Sequence, residues 1–513
     1  MSKSVRQVSF FGKLLGHDKA VARGYKRGYA AAESKARYGD FRSSRGSADT
    51  ELRKGLAVVR AKSRWLSRNS SSMKRFLWLL SINTVGKKGF VFESNVIRQD
   101  GTPDVTLNKR VETDFRRWSK RPTTCGKMSM IDLENQAIKS LARDGEFIWE
   151  RVRNPKYKDG IAINPLEADI LDETLNTIHP MTGNQIRMGV EIDKFNRVIA
   201  YHFLEQHPGD YTWYSYDSRR RYRRVLADNV IHVYISDRPG QTRGEPWASS
   251  VVNSVKMLDG YREAETTSRR LRAAVMGFFK KMLPQSEGIE GLADNEDDED
   301  RERLEISVEP GKFQELPPGL EMQQFDPGGS QTDYEGFEGQ IKKDVAMGLN
   351  ISVMSHGMET HGVPYSAGRT IRQEDQDFYQ VVQEFFSDRA LDMVFGWWLP
   401  LRIVQEDANI PPTRTDIIID SCVFRPRGWD WVDPAKDISS NTEALRTYQT
   451  SPQRVAARQG VTLETILDEH VEARRMAQER DLTLEYNTVN QVTDESPKDE
   501  NDDNDDNDVE EDE

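Results

Sequence analysis

Residues Ile231–Leu283 decide the fold and read IHVYISDRPGQTRGEPWASSVVNSVKMLDGYREAETTSRRLRAAVMGFFKKML. The stretch opens on a strand pattern, Val230–Ile235, because β-branched and aromatic residues suit a pleated sheet. Turn residues between Asp237 and Pro246 then end the strand, and proline is tolerated in the first turn of a helix. No further proline interrupts the run before Pro284. The pattern predicts a helix from Trp247 to Leu283, about 55 Å long.

The predicted helix carries a single apolar stripe, because its apolar residues recur at intervals of three or four. Its middle third is charged and contains Arg262, Glu263, Glu265, Arg269, Arg270 and Arg272. A helix this long and polar suits a position beside copies of itself better than a compact core. We therefore expect Arg–Glu pairs between subunits in this section.

The chain before this stretch divides into an arm and a mixed domain. Residues 1–60 are rich in Lys, Arg, Ala, Ser and Gly, which predicts a flexible basic arm that becomes helical near its end. Its tyrosines among basic residues could contact nucleic acid, or the arm could pack on a neighbouring subunit. Residues 61–245 alternate between helix and strand patterns, which predicts an α/β domain. Its predicted elements are helices at 74–82, 111–118 and 130–144, and strands at 89–95, 147–153, 188–192, 198–204 and 230–235.

The sequence after the long helix predicts a small separate domain and then a helix that runs back along the first. Residues 284–330 contain an acidic run, Asn295–Asp300, and several Pro-Gly turns, which predicts a small β-rich domain with a disordered loop. A returning helix over 331–350 would make a stalk capped by this domain. Residues 351–400 predict a mobile polar loop followed by a second long helix, capped by Ser366 and ended by Pro400.

The remaining sequence predicts three short regions. Residues 401–433 contain a strand pattern, Asp416–Val423, that would rejoin the α/β domain. Residues 434–483 predict a small group of helices. Residues 484–513 lack apolar content and predict a disordered acidic tail.

Charge is distributed unevenly along the 513 residues, whose formal net charge is −12. Residues 1–75 contain nineteen Lys and Arg against five Asp and Glu, whereas residues 494–513 contain thirteen acids and one lysine. This asymmetry favours contact with polyanions or oppositely charged neighbours, although solvated ends explain it equally well. The absence of a long apolar run argues against a membrane span. Two cysteines, Cys125 and Cys422, favour buried thiols and leave a single bridge open.

The sequence predicts no catalytic, cofactor-binding or metal-binding residues. The segment Asn83–Lys88 resembles a phosphate loop only superficially, because the full spacing from Gly to Lys-Ser/Thr is missing. His356 and His361 have no nearby cysteine or carboxylate pattern that would suit zinc. A nuclease or packaging ATPase would need a phosphate loop or clustered carboxylates, so this enzyme class is disfavoured.

Several spaced motifs resemble those of the lambda-type portal proteins of tailed double-stranded-DNA phages. The stretch DRPGQTRGEPW followed by a long helix is the first of them. The others, in order, are Leu141–Glu146 (LARDGE), Gly189–Asp193 (GVEID), Gly362–Arg369 (GVPYSAGR) and Trp429–Lys436 (WDWVDPAK). Together they cover roughly residues 64–480 and are specific only as a set.

The resemblance implies an α+β ring subunit without enzymatic activity or cofactor. In the family's terms, residues 61–245 would form the wing, 246–283 and 331–350 the two stem helices, and 284–330 the clip. Residues 351–400 would form the tunnel loop and long helix, 401–433 the wing return strand, and 434–483 the crown. The resemblance also implies a dodecamer at one capsid vertex of the virion, assembled in the host cytoplasm, through which DNA is packaged and ejected. The implied partners are double-stranded DNA, the terminase large subunit, a major capsid or scaffold protein, and a head–tail connector protein. A different capsid scaffold or a head–tail adaptor remains the alternative.

Two groups of residues are candidates for contacts under this resemblance. The tunnel group would face passing DNA without gripping it, because the loop 352–366 contains no Lys or Arg. It comprises His356, Met358, Glu359, His361, Lys342, Lys343 and Arg369. The clip group would bind the terminase or the connector and comprises Arg301, Arg303, Glu305 and Lys312.

Overall fold

The structure is a computed structural model that describes residues 45–210, 221–274, 278–281, 320–323, 332–357, 362–405, 409–429, 434–458, 461, 463–480 and 482. The chain divides into two compact units, Met1–Pro426 and Arg427–Glu513. Most of the predicted arm, nearly all of the predicted clip and the acidic tail lie outside the described residues. Within the described part, no helix is both long enough and apolar enough to cross a membrane.

Helices make up most of the described chain. In the first unit they are α1 (Ala48–Asn69), α2 (Ser71–Thr84), α3 (Val105–Ser119), α4 (Met130–Asp144), α5 (Val252–Ala274), α6 (Thr332–Gly348), α7 (Val353–Gly357), α8 (Tyr365–Phe386), α9 (Asp392–Ile403) and α10 (Thr415–Asp420). In the second unit they are α11 (Pro434–Arg446), α12 (Pro452–Arg458) and α13 (Leu463–Gln478).

The strands of the first unit form small antiparallel sheets. They are β1 (Val91–Ser94), β2 (Glu146–Arg153), β3 (Ile161–Leu166), β4 (Thr177–Ile178), β5 (Gln185–Arg187), β6 (Val190–Ile192), β7 (Val198–Leu204), β8 (Tyr222–Leu226), β9 (Val230–Tyr234), β10 (Phe278–Lys281), β11 (Leu320–Gln323) and β12 (Cys422–Arg425). Strand β2 lies between β3 and β9, while β4 to β8 form a meander. The fold is thus mixed helix and sheet, as predicted.

Local sequence explains where the central elements start and stop. Ser129 and Asp132 form a reciprocal capping box at the start of α4. Gly145 ends α4 with a φ of +88°, a left-handed conformation that favours glycine. The chain can therefore turn at once from α4 into β2. The helix predicted at 130–144 and the strand predicted at 198–204 have these same ends in the structure.

Two apolar clusters hold the first unit together. Between the two larger sheets, Ile148, Leu171, Val190 and Phe203 are among the buried side chains. A second cluster is aromatic and joins α3, α9, β1 and β12; it includes Phe92, Phe115, Phe395, Trp398 and Phe424. Strand β12 pairs antiparallel with β1, so this later part of the chain lies beside the strand that follows α2.

The long helix predicted from Trp247 to Leu283 is shorter in the structure. Helix α5 ends at Ala274, and Phe278–Lys281 is a strand that pairs with Leu320–Gln323. The sequence Val-Met-Gly-Phe-Phe at 275–279 explains the change, because β-branched and aromatic residues favour strand and glycine disfavours helix.

Helices α5 and α6 pack together through both charged and aromatic contacts. Arg262 donates to Glu338 Oε1 through Nε at 2.9 Å and Nη2 at 2.7 Å. Tyr261 stacks on Tyr334 with ring centroids 5.5 Å apart. At Arg262, the expected pairing between subunits is therefore replaced by a pair within the chain.

Other predicted boundaries also need correction. The arm was predicted to become helical near its end, and α1 confirms this; the helix starts at Ala48 and buries Leu56 and Arg60, so residues 48–60 belong to the folded unit and not to an arm. Pro400 does not end the second long helix, because it lies in the last turns of α9, where few backbone hydrogen bonds are lost. Pro364, and not Ser366, occupies the cap position of α8.

The isoleucine-rich segment after the second long helix was predicted as the strand Asp416–Val423. It is instead the short helix α10 followed by β12, which starts at Cys422. The helix buries Ile418 and leaves Ile417 half exposed, so tertiary burial overrides strand propensity here. Both cysteine thiols are free; Cys422 is half-buried but Cys125 is exposed, which corrects the prediction for Cys125.

Candidate functional site

A fully buried carboxylate, Glu146, lies at the centre of the most highly connected polar cluster described. Its oxygens accept hydrogen bonds from Arg60 Nη2 at 2.9 Å and from Arg243 Nε at 2.9 and 3.0 Å. They also accept the backbone N–H of Gly244 at 3.1 Å and pair with His232 Nε2 at 3.0 Å. Charged donors of this kind form the stronger class of protein hydrogen bonds.

Arg243 connects this carboxylate to the surrounding backbone. The side chain is 0% exposed and donates to the carbonyl oxygens of Leu171 at 2.7 Å, Met188 at 2.9 Å and Ala168 at 3.0 Å. A guanidinium has five N–H donors in a rigid plane, so one side chain can fix several segments. Arg243 thereby anchors the sheets to the start of β2.

Helix α1 reaches the same cluster through two arginines. Arg60 donates to the Asp144 carbonyl oxygen at 3.2 Å and to Asp169 Oδ1 at 2.8 Å. Arg64 donates to Asp144 Oδ1 at 2.6 Å and also pairs with Asp169. We call the six charged residues the arginine–carboxylate cluster: Arg60, Arg64, Asp144, Glu146, Asp169 and Arg243. Its three cations and three anions balance, which favours charge burial.

Two glycines allow the backbone segments to meet at this cluster. A Cβ atom added at Gly244 would lie 2.0 Å from the carbonyl oxygen of Gly145. One added at Gly145 would lie 2.5 Å from the backbone carbon of Glu245. The close approach places the Gly244 N–H on Glu146, and only glycine fits at either position.

The electrostatics match a permanently ionised cluster. Burial by itself raises the pKa of Glu146, but Arg243, His232 and Arg60 hold that pKa well below its ordinary value. Burial lowers the pKa of His232, so its neutral ring donates to Glu146. With every oxygen of Glu146 occupied by protein donors, the cluster is built to hold segments together and not to receive a substrate.

A second buried carboxylate, Glu191, organises the meander. It accepts hydrogen bonds from Arg224 Nε at 2.8 Å, Asn184 at 2.8 Å and Thr182 at 3.0 Å, and it pairs with His202 at 3.1 Å. Burial raises its pKa, but the bonds from Arg224, Asn184, His202 and Thr182 outweigh that effect and lower it overall. Glu191 therefore has the same structural role as Glu146.

A family model described as "Phage portal protein, lambda family" matches residues 34–383. The chain belongs to this family. It is 31% identical over 424 residues to the "Probable portal protein" of Halomonas phage phiHAP-1, covering 82% of this chain and 80% of that protein. It is 23% identical over 247 residues to "Portal protein B" of Escherichia phage lambda, covering 44% of this chain and 45% of that protein.

A solved structure titled "Virion of native gene transfer agent (GTA) particle" includes a similar chain. The TM-score is 0.45 and the identity is 14%, over 82% of this chain and 96% of that chain. Both relatives described above have names that identify them as portal proteins, and neither name is that of an enzyme.

Three of the five portal motifs quoted from the sequence supply the buried carboxylates or their partners. The LARDGE segment supplies Asp144 and Glu146, and the TRGEPW segment supplies Arg243 and Gly244. The GVEID segment supplies Glu191. Sequence reasoning missed Arg60, but a signal existed, because an arginine occupying the buried face of an amphipathic helix requires a partner.

The predicted tunnel residue His356 does not lie in an exposed loop. It is on α7, is 8% exposed, and its Nε2 lies 3.0 Å from Ser72 Oγ. Residues around the predicted loop are also held, since Ser352 and Ser355 bond to Asp375. The interpretation of His356 as a DNA-facing side chain is therefore wrong for this subunit structure, because burial against α2 satisfies the imidazole.

The other residues predicted to contact DNA or the terminase lie partly on described helices and partly outside the described residues. Lys342 lies on α6, 3.4 Å from Glu338, and Lys343 is exposed on the same helix. Arg369 is half-buried on α8. The remaining tunnel and clip candidates lie outside the described residues: Met358, Glu359, His361, Arg301, Arg303, Glu305 and Lys312.

Three side chains could in principle hold a metal ion, namely Glu167, Asp169 and His207, whose ligand atoms lie within 4.8 Å of one another. However, Asp169 already pairs with Arg60 and Arg64. A cation would have to compete with these two guanidinium groups, so the arrangement suits an ion-pair network and not a metal centre.

We expect the portal subunit to lose stability as the pH falls below about 6.5. Burial lowers the pKa of His202, His232 and His356 from their ordinary value of 6.5, so unfolding takes up protons in that range. Glu134 has the opposite effect on the pH dependence of stability, because burial raises its pKa to about 8. It is a single group, however, and three histidines act in the other direction. Thermal unfolding at pH 7.5 and 5.5 measures the difference. A higher melting temperature at pH 5.5 would contradict it, and H356N should reduce the slope.

Proposed function

We propose that this portal subunit forms a closed dodecameric ring at one capsid vertex, through which DNA is packaged and later ejected. The family match over residues 34–383 is the observation that carries the proposal. The exposed apolar side chains on α5 and α6, including Met257, Phe337 and Met347, support it because surfaces of this kind need neighbours. A head-to-tail contact that closes on itself gives a ring.

Purified full-length protein is expected to sediment as one large species and to show rings with a central hole in negative-stain images. The reason is that the paired helices α5 and α6 leave apolar and charged groups for neighbouring subunits to cover. Analytical ultracentrifugation gives the subunit number. A protein that stays monomeric or dimeric at micromolar concentration in near-physiological salt would overturn the ring proposal.

The segment between β10 and β11 is the proposed docking surface for the terminase large subunit and then for the head–tail connector. Strands β10 and β11 pair with each other, so the intervening residues start and end at one place beyond α5 and α6. Deleting Asn295–Asp300 should leave ring assembly intact, because a run of acidic and amide side chains has little apolar surface to bury on folding. If deletion of residues 304–319 left terminase pull-down unchanged, this surface would not be the docking site.

The segment after α7 is proposed to face DNA in the channel, with Met358, Glu359 and His361 as its contacts and Lys342, Lys343 and Arg369 as flanking cations. Placing a lysine in each subunit would create a ring of positive charge that retains phosphates. The double variant M358K and H361K leaves the Ser72–His356 contact intact. An unchanged packaging rate in this variant would show that this segment does not face DNA in the channel.

The proposed role requires no catalysis by this chain. The buried carboxylates Glu146 and Glu191 are saturated by protein donors, which leaves them unable to bind metal or act as bases. Because the sequence also lacks the spacing of a phosphate loop and a carboxylate cluster for metal ions, purified rings should turn over neither ATP nor DNA. Hydrolysis that co-purifies with the chain and disappears in a point variant would refute this.

A further inference from the structure

Helix α1 has a basic stripe on its solvent face. Lys54, Val58, Lys62, Trp65 and Arg68 recur at intervals of three or four and are all exposed. Val58 and Trp65, in the centre of the stripe, are 56% and 42% exposed, so two large apolar side chains share this face with the cations. From residue 52 to residue 92 the sequence contains ten Lys and Arg and no Asp or Glu.

The charges that α1 uses inside the subunit lie on other faces. Arg60 and Arg64 point into the arginine–carboxylate cluster, and Glu51 pairs with Arg238. Lys256 of α5 lies over the Trp65 ring, with its Nζ 4.7 Å from the ring centroid, and adds one more cation to this surface. The basic stripe thus presents positive charge around two exposed apolar side chains.

Helix α8 and the π-helical turn after it have the complementary pattern. Glu374, Asp377, Val381, Glu384 and Asp388 recur at intervals of three and four, and all five are exposed. Val381, at the centre of this acidic stripe, is 67% exposed. No Lys or Arg occurs between residues 373 and 388.

The two stripes belong to one compact unit but do not cover each other. Helix α2 packs against both α1 and α8, and the basic and acidic stripes remain exposed. The same chain therefore carries two stripes of opposite charge and matching length that do not contact each other within one subunit. The partner of each stripe is to be sought on a second copy of the chain.

We propose that the basic stripe of one subunit packs on the acidic stripe of the next subunit around the ring. This inference rests on the proposed ring and adds the surfaces that form its subunit contact. Val58 and Trp65 meet the region of Val381, which excludes water, and the flanking charges fix register and orientation. Because each subunit contributes one stripe to each neighbour, the contact is heterologous and repeats until the ring closes.

The proposal is tested by reversing the charges of each stripe in a separate variant and then mixing the two variants. Variant A, K54E/K62E/R68E, carries two acidic stripes, and variant B, E374K/D377K/E384K, carries two basic stripes. Each variant alone should lose ring formation by about tenfold or more, because like charges face each other at every contact. An equimolar mixture should assemble again, with A and B alternating around an even-numbered ring. One chain carrying all six reversals should assemble by itself.

The controls separate this inference from the proposed function and from misfolding. Reversal of three exposed cations on α3 and at its C-cap, K109E/R116E/K120E, changes the same amount of charge and should leave rings intact. The melting temperatures of A and B should equal that of the wild type when all three are measured as dissociated subunits. Equal values show that the reversals leave the subunit fold intact. If wild type forms no ring, the proposed function fails. If wild type forms rings and A and B do too, or if the mixture and the six-fold variant stay unassembled, the stripes are not the contact.

Discussion

Replacing Glu146 with glutamine is expected to lower the free energy of unfolding by about 3–5 kcal/mol, the usual cost of removing one partner from a buried ion pair. The side chain of Glu146 is completely buried, and it neutralises Arg243 and Arg60. Glutamine keeps the size of the side chain but leaves the guanidinium groups with excess buried charge. Since folded domains are stable by only about 5–15 kcal/mol, much of the protein should become insoluble or unfold at a lower temperature.

The comparison variant for this prediction is E51Q on helix α1. Glu51 also pairs with an arginine, Arg238, but both side chains are more than a third exposed. Removing such a surface pair costs about 1 kcal/mol or less. Denaturant unfolding of both variants measures the two differences. If E146Q were as stable as E51Q, the cluster would not be what holds these segments together.

Replacing Gly244 with alanine should destabilise the subunit by about 3 kcal/mol or more, among the larger effects of a single methyl group. The added Cβ would lie 2.0 Å from the carbonyl oxygen of Gly145, which is backbone and cannot rotate away. Relief would require α4 and the segment before α5 to separate. That movement would also break the hydrogen bond from Gly244 to Glu146.

Gly260 provides the matched control for this substitution. It lies inside α5, and a Cβ atom there would meet nothing within 4 Å. Alanine at this position should raise stability by about 0.5–1 kcal/mol, because glycine is a poor helix former. Melting temperatures of both variants test the pair. Equal melting temperatures for G244A and G260A would show that the segments can part without cost.

The sequence predicted many elements of the first unit because their signals are local. The capping box at Ser129 and the glycine at position 145 delimit α4 within the residues that form it. The portal resemblance also came from short motifs. Neither signal required knowledge of which segments lie together in space.

What the sequence could not predict depends on distant partners. Arg60 and Glu146 are 86 residues apart, and Arg243 is 97 residues beyond Glu146, so no periodicity connects them. His356 was misjudged for the same reason, because its partner, Ser72, is 284 positions away. The end of α5 at Ala274 is only partly a local matter, because strand β10, which the residues after it favour, also needs a pairing strand that starts at Leu320.

The arginine–carboxylate cluster also constrains the order of events during synthesis. Arg60 leaves the ribosome early, but Arg243 is translated 183 residues later, which takes about 10–40 s at bacterial elongation rates. Until then Glu146 lacks its main counter-charge, so α1 packs on α2 and α4 without the completed arginine–carboxylate cluster. We therefore expect nascent chains shorter than about 280 residues, with some 30 residues still in the exit tunnel, to be cut readily by protease in the region of α1. Protection of that region in such chains would show that docking does not wait for Arg243.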